Sequence, residues 1–209
     1  MLGRMVPAQS VRCEDIAQHP DFRRLDTIRG IAIDLRYAGP RNFVGQDLYG
    51  ALDCAWLHVR AAEGLERAAA QLAGEAPQQR LVVLDALRPH RVQVRLWNHL
   101  ADSGLRRYVA DPARGSIHSF GLALDVTLLD AAGRELDMGS SFDEMNERSH
   151  PRLEAEHLAS GVLSRAQWEQ RERLRRAMTA GGFNGIDHEW WHFDMLDREH
   201  VRRHFVRVD

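Results

Sequence analysis

Ser116-Ile117-His118-Ser119-Phe120-Gly121-Leu122-Ala123-Leu124-Asp125 is the stretch whose reading decides the fold. It runs on into Val126-Thr127-Leu128, and from Leu122 onward the pattern alternates. Leu122, Leu124, Val126 and Leu128 share one face, while Ala123, Asp125 and Thr127 share the other. Period two marks a half-buried strand, with Asp125 on its open face. His118 stands seven positions before Asp125. Seven is odd, so on one unbroken strand the two side chains would point to opposite faces. Gly121 lies between them and permits a bulge or tight bend. The expectation is that His118 precedes a break and Asp125 sits on the strand proper.

Working outward, Asp130-Ala131-Ala132-Gly133 reads as a hairpin turn, with a returning strand over 134–138. Residues 139–151 form a polar loop longer than most connections, of the kind that serves as a lid or binding loop. A helix is predicted over 164–178, with Ser164 as cap, Gln167 three residues on, and Gly181-Gly182 as the stop. The charged run Arg171-Glu172-Arg173-Leu174-Arg175-Arg176 on it reads as a solvated face. Residues 183–195 read as the last long strand. Upstream, 27–37 alternates like a strand, 51–72 has helical spacing, Leu81-Val82-Val83-Leu84 reads as a central strand covered on both sides, and 91–100 reads as a second helix. Residues 1–26 read as an irregular arm with one short helix. Helices and hairpin-type strands in mixed order predict one α+β domain over 1–209, a mixed or antiparallel central sheet flanked by helices.

The chain has 209 residues, enough for a sizeable core without covalent staples. Net charge is −2, so no basic field recruits nucleic acid or anionic membrane. The two cysteines, Cys13 and Cys54, match no zinc-ribbon spacing and read as idle thiols. No stretch approaches the about 18 apolar residues of a membrane span, and the first residues show no signal-peptide run. The expectation is a soluble cytoplasmic protein, with homo-oligomer formation left open.

A second segment, Glu189-Trp190-Trp191-His192, completes a chemical set. Catalytic zinc takes three protein ligands and leaves one position open. His118, Asp125 and His192 would supply them, and Glu189 is free to act as general base for an activated water. Glu189 and His192 are three apart, so the chain must bend at Trp190-Trp191 for both to face one site. With 11 histidines in the chain, no single one of these residues carries the argument.

The whole spaced pattern does. Ser116-x-His118-x-x-Gly121-x-Ala123-x-Asp125 followed by Glu189-Trp190-Trp191-His192 resembles the signature of the D-Ala-D-Ala metallopeptidases, and most of all the VanX-type D-alanyl-D-alanine dipeptidases. The likeness extends to Tyr37-Ala38 with Asn42-Phe43, to Asp85-Ala86-Leu87-Arg88-Pro89-His90-Arg91, and to Met138-Gly139-Ser140-Ser141-Phe142-Asp143 with Glu147-Arg148-Ser149-His150. The resemblance implies an α+β fold with its metal site in a cleft. It implies one zinc per chain on His118, Asp125 and His192, Glu189 as general base, and Arg88 stabilising the oxyanion of a small D,D-dipeptide. Arg88 precedes Pro89, which favours an extended backbone there, and its guanidinium is a permanently charged donor. Tyr37 and Ser116 match positions near the substrate's amino end, and Asp85 is placed to contact substrate or to orient Arg88. Ile117, Phe120 and Pro40-Arg41 depart from the family pattern and leave the exact dipeptide open. Two other readings stand beside this one: a D,D-carboxypeptidase or endopeptidase on peptidoglycan peptides, and a non-catalytic zinc-binding domain.

Overall fold

Apolar runs at strand spacing assemble into one mixed sheet that carries the site. The computed structural model describes residues 10–209. In chain order its strands are β1 (Ser10–Val11), β2 (Phe22–Arg24), β3 (Ile31–Ile33), β4 (Trp56–His58), β5 (Arg80–Asp85), β6 (Ala123–Leu129), β7 (Phe183–Gly185), β8 (His192–Met195) and β9 (Arg207–Val208). Its α-helices are α1 (Val59–Glu75), α2 (His90–His99), α3 (Glu154–Ser160), α4 (Arg165–Ala180) and α5 (Arg198–His204). The main sheet has the order β3-β5-β6-β8-β7, with β3 parallel to β5 and the other pairs antiparallel. The architecture is α+β. Two small pairs lie outside the sheet: β2 with β4, antiparallel, and β1 with β9, parallel.

The core lies between the sheet and two crossed helices. Leu124, Val126 and Leu128 of β6 and Leu81 and Val83 of β5 pack against Ala61, Leu65, Ala68 and Leu72 of α1 and against Leu174, Ala177 and Met178 of α4. Gly64 is where these helices meet. A Cβ there would stand 2.5 Å from Met195 Cε and 2.8 Å from the Gly181 carbonyl, so this glycine is a contact point rather than a helix break. On the other face of the sheet, Val82, Leu84 and Leu129 pack under Ala32 and Phe142. A second cluster, including Tyr37, Tyr49, Leu87, Val92 and Leu96, fills the space beneath α2. Cys13 and Cys54 are buried in it as free thiols.

Several expected boundaries move. The predicted helix over 51–72 starts only at Val59, because Trp56–His58 pairs with Phe22–Arg24 and the His58 ring caps the helix by accepting from the Arg60 N–H. Only Ile31–Ile33 of the predicted strand over 27–37 joins the sheet, with 3₁₀ turns on either side. The strand expected over 134–138 reduces to a single bridge, Leu129 to Glu135, after the Asp130 turn. The long strand expected over 183–195 is a hairpin of β7 and β8. Within the N-terminal arm, residues 10–24 hold two short strands and a 3₁₀ helix at Cys13–Gln18, while residues 1–9 lie outside the described residues.

The helix capped by Ser164 and Gln167 does form, with both halves of the capping box in place. Its charged run is not wholly solvated, however. Arg171 is buried with Leu174, Ala177 and Met178 on the inner face. Among the described residues, no helix is long and apolar enough to cross a membrane.

Candidate metal centre and its cleft

Three adjacent strands bring the site together. In the antiparallel register Asp125 of β6 stands opposite His192 of β8 on one side and Asp85 of β5 on the other. Cross-strand partners share a face, so these three side chains form a row. His118 enters from outside the sheet. It lies in a 3₁₀ turn, Ile117–Phe120, that ends at Gly121 in the left-handed region (φ 63°) before β6 begins. The break falls where the odd spacing requires one. A Cβ at Gly121 would lie 2.7 Å from the His58 backbone nitrogen, so close approach as well as φ reserves this position for glycine. The second parity problem is solved by a turn at Trp190-Trp191, where the His192 N–H faces the Glu189 carbonyl at 3.4 Å.

Hydrogen bonds then set which ring nitrogens face inward. His118 Nδ1 donates to the Ala86 carbonyl at 2.8 Å, leaving the lone pair on Nε2. His192 Nε2 donates to Asp194 Oδ1 at 2.9 Å, leaving the lone pair on Nδ1. These two lone-pair nitrogens are 3.2 Å apart, and Asp125 Oδ1 lies 2.9 Å from His192 Nδ1 and 3.4 Å from His118 Nε2. All three donors fall within 4.8 Å of one another and are buried. Two lone pairs and a carboxylate oxygen facing one point call for a cation. Ligands at about 2.0–2.1 Å around a tetrahedral zinc stand roughly 3.3 Å apart; the spacings of 3.2 and 3.4 Å match that, and the third, 2.9 Å, is closer. The donor set of two imidazoles and one carboxylate is also one that zinc accepts. The residues present therefore fit the metal.

The surrounding carboxylates favour positive charge at this point, whether carried as a second proton on His192 or as a metal ion in that proton's place. Burial opposes a charge on His192, yet the carboxylates of Asp194 and Asp125 outweigh it and raise the ring to about 10. Burial pushes Asp125 up, but the two histidines hold it well below the usual carboxylate range. Asp194, pushed up by burial, is drawn down to about 2 by His192 and Arg198. Arg198 Nε donates to its other oxygen at 2.6 Å. A histidine oriented by a carboxylate is the usual support for a metal ligand.

The cleft around this group has a volume of about 300 Å3 and is lined by Tyr37, Arg88, Ser116, Ile117, His118, Asp125, Asp143, Glu189 and His192, among others. Glu189 is buried there, and burial raises its carboxyl to about 7 despite the pull of His192. Arg88 is buried beside it. Its Nε and Nη2 both donate to Asp85 Oδ2, at 3.0 and 2.6 Å, its Nη1 donates to Gln93 at 3.2 Å, and it lies 4.7 Å from the Tyr37 ring centroid. Asp85 does not line the cleft. It sits fully buried behind Arg88, also accepting from the Tyr49 hydroxyl and the Ala86 N–H, so it orients the arginine rather than meeting a ligand. Ser116 and Ile117 both reach the wall, the latter from within the core.

Two residues of the site were not singled out from sequence. Asp194 lies two positions beyond His192 on a strand, and that period alone would have placed both on one face. Asp143 falls within the stretch Met138–Asp143 that carries the family resemblance, but no periodicity marked it out and no role was attached to it. It lies in an irregular loop at φ 61°, with Oδ1 accepting from the Tyr37 hydroxyl at 3.2 Å. Among the described residues its Oδ2 has no partner, and burial, followed by the charge of Asp125, pushes its carboxyl well above the usual range.

Comparison with known proteins adds an independent line. The family Peptidase M15, described as D-Ala-D-Ala dipeptidase, matches residues 21–209. A D-alanyl-D-alanine dipeptidase of Escherichia coli strain K12 is 42% identical over 167 residues, covering 79% of each chain. One from Synechocystis is 31% identical over 185 residues, covering 74% of each, and one from Streptomyces coelicolor is 32% identical over 206 residues, covering 88% of this chain and 96% of that one.

Proposed function

The chain belongs to the Peptidase M15 family, and from that premise we propose that it is a zinc-dependent dipeptidase that hydrolyses D-alanyl-D-alanine, or a closely related D,D-dipeptide, to free amino acids. The observation that carries this reading is the convergence of His118 Nε2, His192 Nδ1 and Asp125 Oδ1 in a cleft shared with Glu189 and Arg88. The volume of about 300 Å3 stands at the lower end of small-molecule sites, which run from about 300 to 1,000 Å3. A dipeptide suits that space.

His118, Asp125 and His192 would hold the zinc ion, which when bound would supply Lewis acidity for a carbonyl and bring the pKa of water to about 7. Glu189 is the general base. Its carboxylate takes the proton from the attacking water and hands it to the nitrogen of the leaving amine, a cycle suited to a group whose pKa stands at about 7. Arg88 keeps N–H groups free beyond those bound to Asp85 and Gln93, and these donate to the scissile carbonyl oxygen as negative charge builds on it. Asp143 and Tyr37 form the cradle for the substrate's ammonium. A buried carboxyl with one unpartnered oxygen, lining a cleft, lacks a counter-charge that the substrate brings. The Ser116 hydroxyl completes the polar contacts at that end. The partner in this reading is a free small dipeptide, with no role for nucleic acid or membrane.

The test uses purified protein loaded with zinc. It binds one zinc per chain, releases D-alanine from D-Ala-D-Ala, and loses that activity on chelation and regains it with zinc. A pentapeptide ending in D-Ala-D-Ala is cleaved poorly. Comparable kcat/KM on the pentapeptide would establish the carboxypeptidase reading instead. Full zinc occupancy without hydrolysis of any D,D-dipeptide would establish the non-catalytic one.

A further inference from the structure

Arg171 lies on α4, on the far side of the loop from the cleft, and does not line the cavity. Its side chain is 1% exposed. Four hydrogen bonds consume it. Nε donates to the Met138 carbonyl at 2.6 Å, Nη2 donates to the Arg148 carbonyl at 2.8 Å and to Ser140 Oγ at 3.3 Å, and Nη1 donates to Glu154 at 3.3 Å. Met138 and Arg148 are the two ends of the loop that carries Asp143. One rigid, planar cation therefore closes this loop from behind, a geometry that a lysine cannot reproduce.

The loop needs closing. Asp143 is one of only two non-glycine residues with positive φ among the described residues, and such a conformation persists only where the surroundings over-determine it. Inside the loop, Ser149 Oγ donates to the Glu144 carbonyl at 2.6 Å, Arg148 Nη2 to the Gly139 carbonyl at 3.0 Å, the Ser141 N–H to the Glu144 carboxylate at 2.9 Å and the Arg148 N–H to Asn146 Oδ1 at 2.9 Å, but these bonds tie the loop to itself and not to the body of the fold. The Trp190 indole N–H also donates to Ser140 Oγ, at 2.9 Å, so the turn bearing Glu189 keeps its own tie to the loop when Arg171 is changed.

We propose that Arg171 is a positioning residue for the hydrolytic reaction: it clamps the loop from Met138 to Arg148 so that the Asp143 carboxyl is held in the cleft to receive the substrate's ammonium. The inference rests on the dipeptidase reading above. Arg171 does not line the cleft and acts through the loop that carries Asp143; its guanidinium also lies 5.8 Å from the Trp190 ring centroid, a contact that R171K keeps as a cation over the ring.

The test is a double-mutant cycle of R171K and D143N on zinc-loaded protein with D-Ala-D-Ala as substrate, joined to hydrogen exchange without substrate. R171K raises KM about tenfold or more with kcat changed by less than about threefold, and in the D143N background it adds nothing further. Amides of 139–149 exchange faster in R171K while those of β6 and β8 do not. An equal fall in kcat/KM in both backgrounds, or unchanged exchange in the loop, overturns the proposal and leaves Arg171 a general support of the fold. If R171K does not fold, E154Q weakens the ion pair that holds Arg171 Nη1, leaves the Trp190 tie to Ser140 in place, and carries the same two readouts. Absence of dipeptide hydrolysis by the wild-type protein refutes the dipeptidase reading, and the exchange measurement still decides whether the clamp exists.

Discussion

Replacing Arg88 by alanine separates two consequences that the structure assigns to one side chain. The first is catalytic. Loss of a donor aimed at a developing oxyanion costs about 10²–10³ in kcat, or roughly 3–4 kcal/mol. The second is structural. Arg88 is the charge partner of Asp85, which is fully buried. Breaking a buried ion pair from one side costs about 3–5 kcal/mol. Asp85 keeps its bonds from the Tyr49 hydroxyl and the Ala86 N–H, which places R88A near the lower figure, about 3 kcal/mol. A domain with about 5–15 kcal/mol of stability remains folded after that loss. R88K keeps the charge, but its single ammonium cannot fork onto Asp85 and still meet the carbonyl oxygen, so its kcat falls between wild type and R88A. Steady-state kinetics on D-Ala-D-Ala, thermal unfolding and zinc content measured on the same samples check this. A folded, zinc-loaded R88A whose kcat stays within about threefold of wild type would remove Arg88 from transition-state stabilisation.

Other perturbations probe the base and the hinge. E189Q binds zinc normally and loses about 10²–10⁴ in kcat; retention of full activity excludes Glu189 as the base. A base must be ionised to act, so kcat/KM rises with pH through the Glu189 pKa. Burial sets that value at about 7, and a bound dication nearby lowers it, so the acid limb of the profile lies at or below about 7 and is missing from whatever activity E189Q retains. G121A places a Cβ 2.7 Å from the His58 nitrogen at φ 63°. It loses about 2 kcal/mol or more, with weakened zinc affinity because the turn carrying His118 shifts. Unchanged melting and zinc binding would show that the break tolerates an ordinary residue.

Much of the site was legible because strand period and parity are geometric facts about a chain. The alternation from Leu122 separated Asp125 from the core-facing leucines, although β6 is buried on both faces and not half-buried as expected, and the odd spacing to His118 demanded a break that the turn ending at Gly121 supplies. Where packing between distant segments decides, the local pattern misled. Residues 51–58 look helical, but Trp56–His58 is recruited as a strand by Phe22–Arg24, a tertiary override of propensity. Arg171 reads as one more charge on a charged helix, and nothing local shows that a loop more than twenty residues upstream supplies carbonyls to bury it. Asp143 has no periodicity because its loop has none, and the Tyr37 that covers it arrives from a segment 106 residues upstream.

The parallel pairing of β1 with β9 joins Ser10–Val11 to Arg207–Val208, and the Cys13 N–H donates to the Asp209 carbonyl at 2.7 Å. These partners stand about 200 residues apart in the chain, so a segment made early waits for one made late. The β5–β6 pairing and the crossing of α1 with α4 close shorter loops and come first, since closure grows costlier with the length of chain between partners. On loop length alone, the fastening of the arm over the cluster that holds Cys13 and Cys54 is the pairing expected last. Without the arm, the apolar cluster beneath α2 lacks the cover that Val11, Cys13 and Ile16 give it.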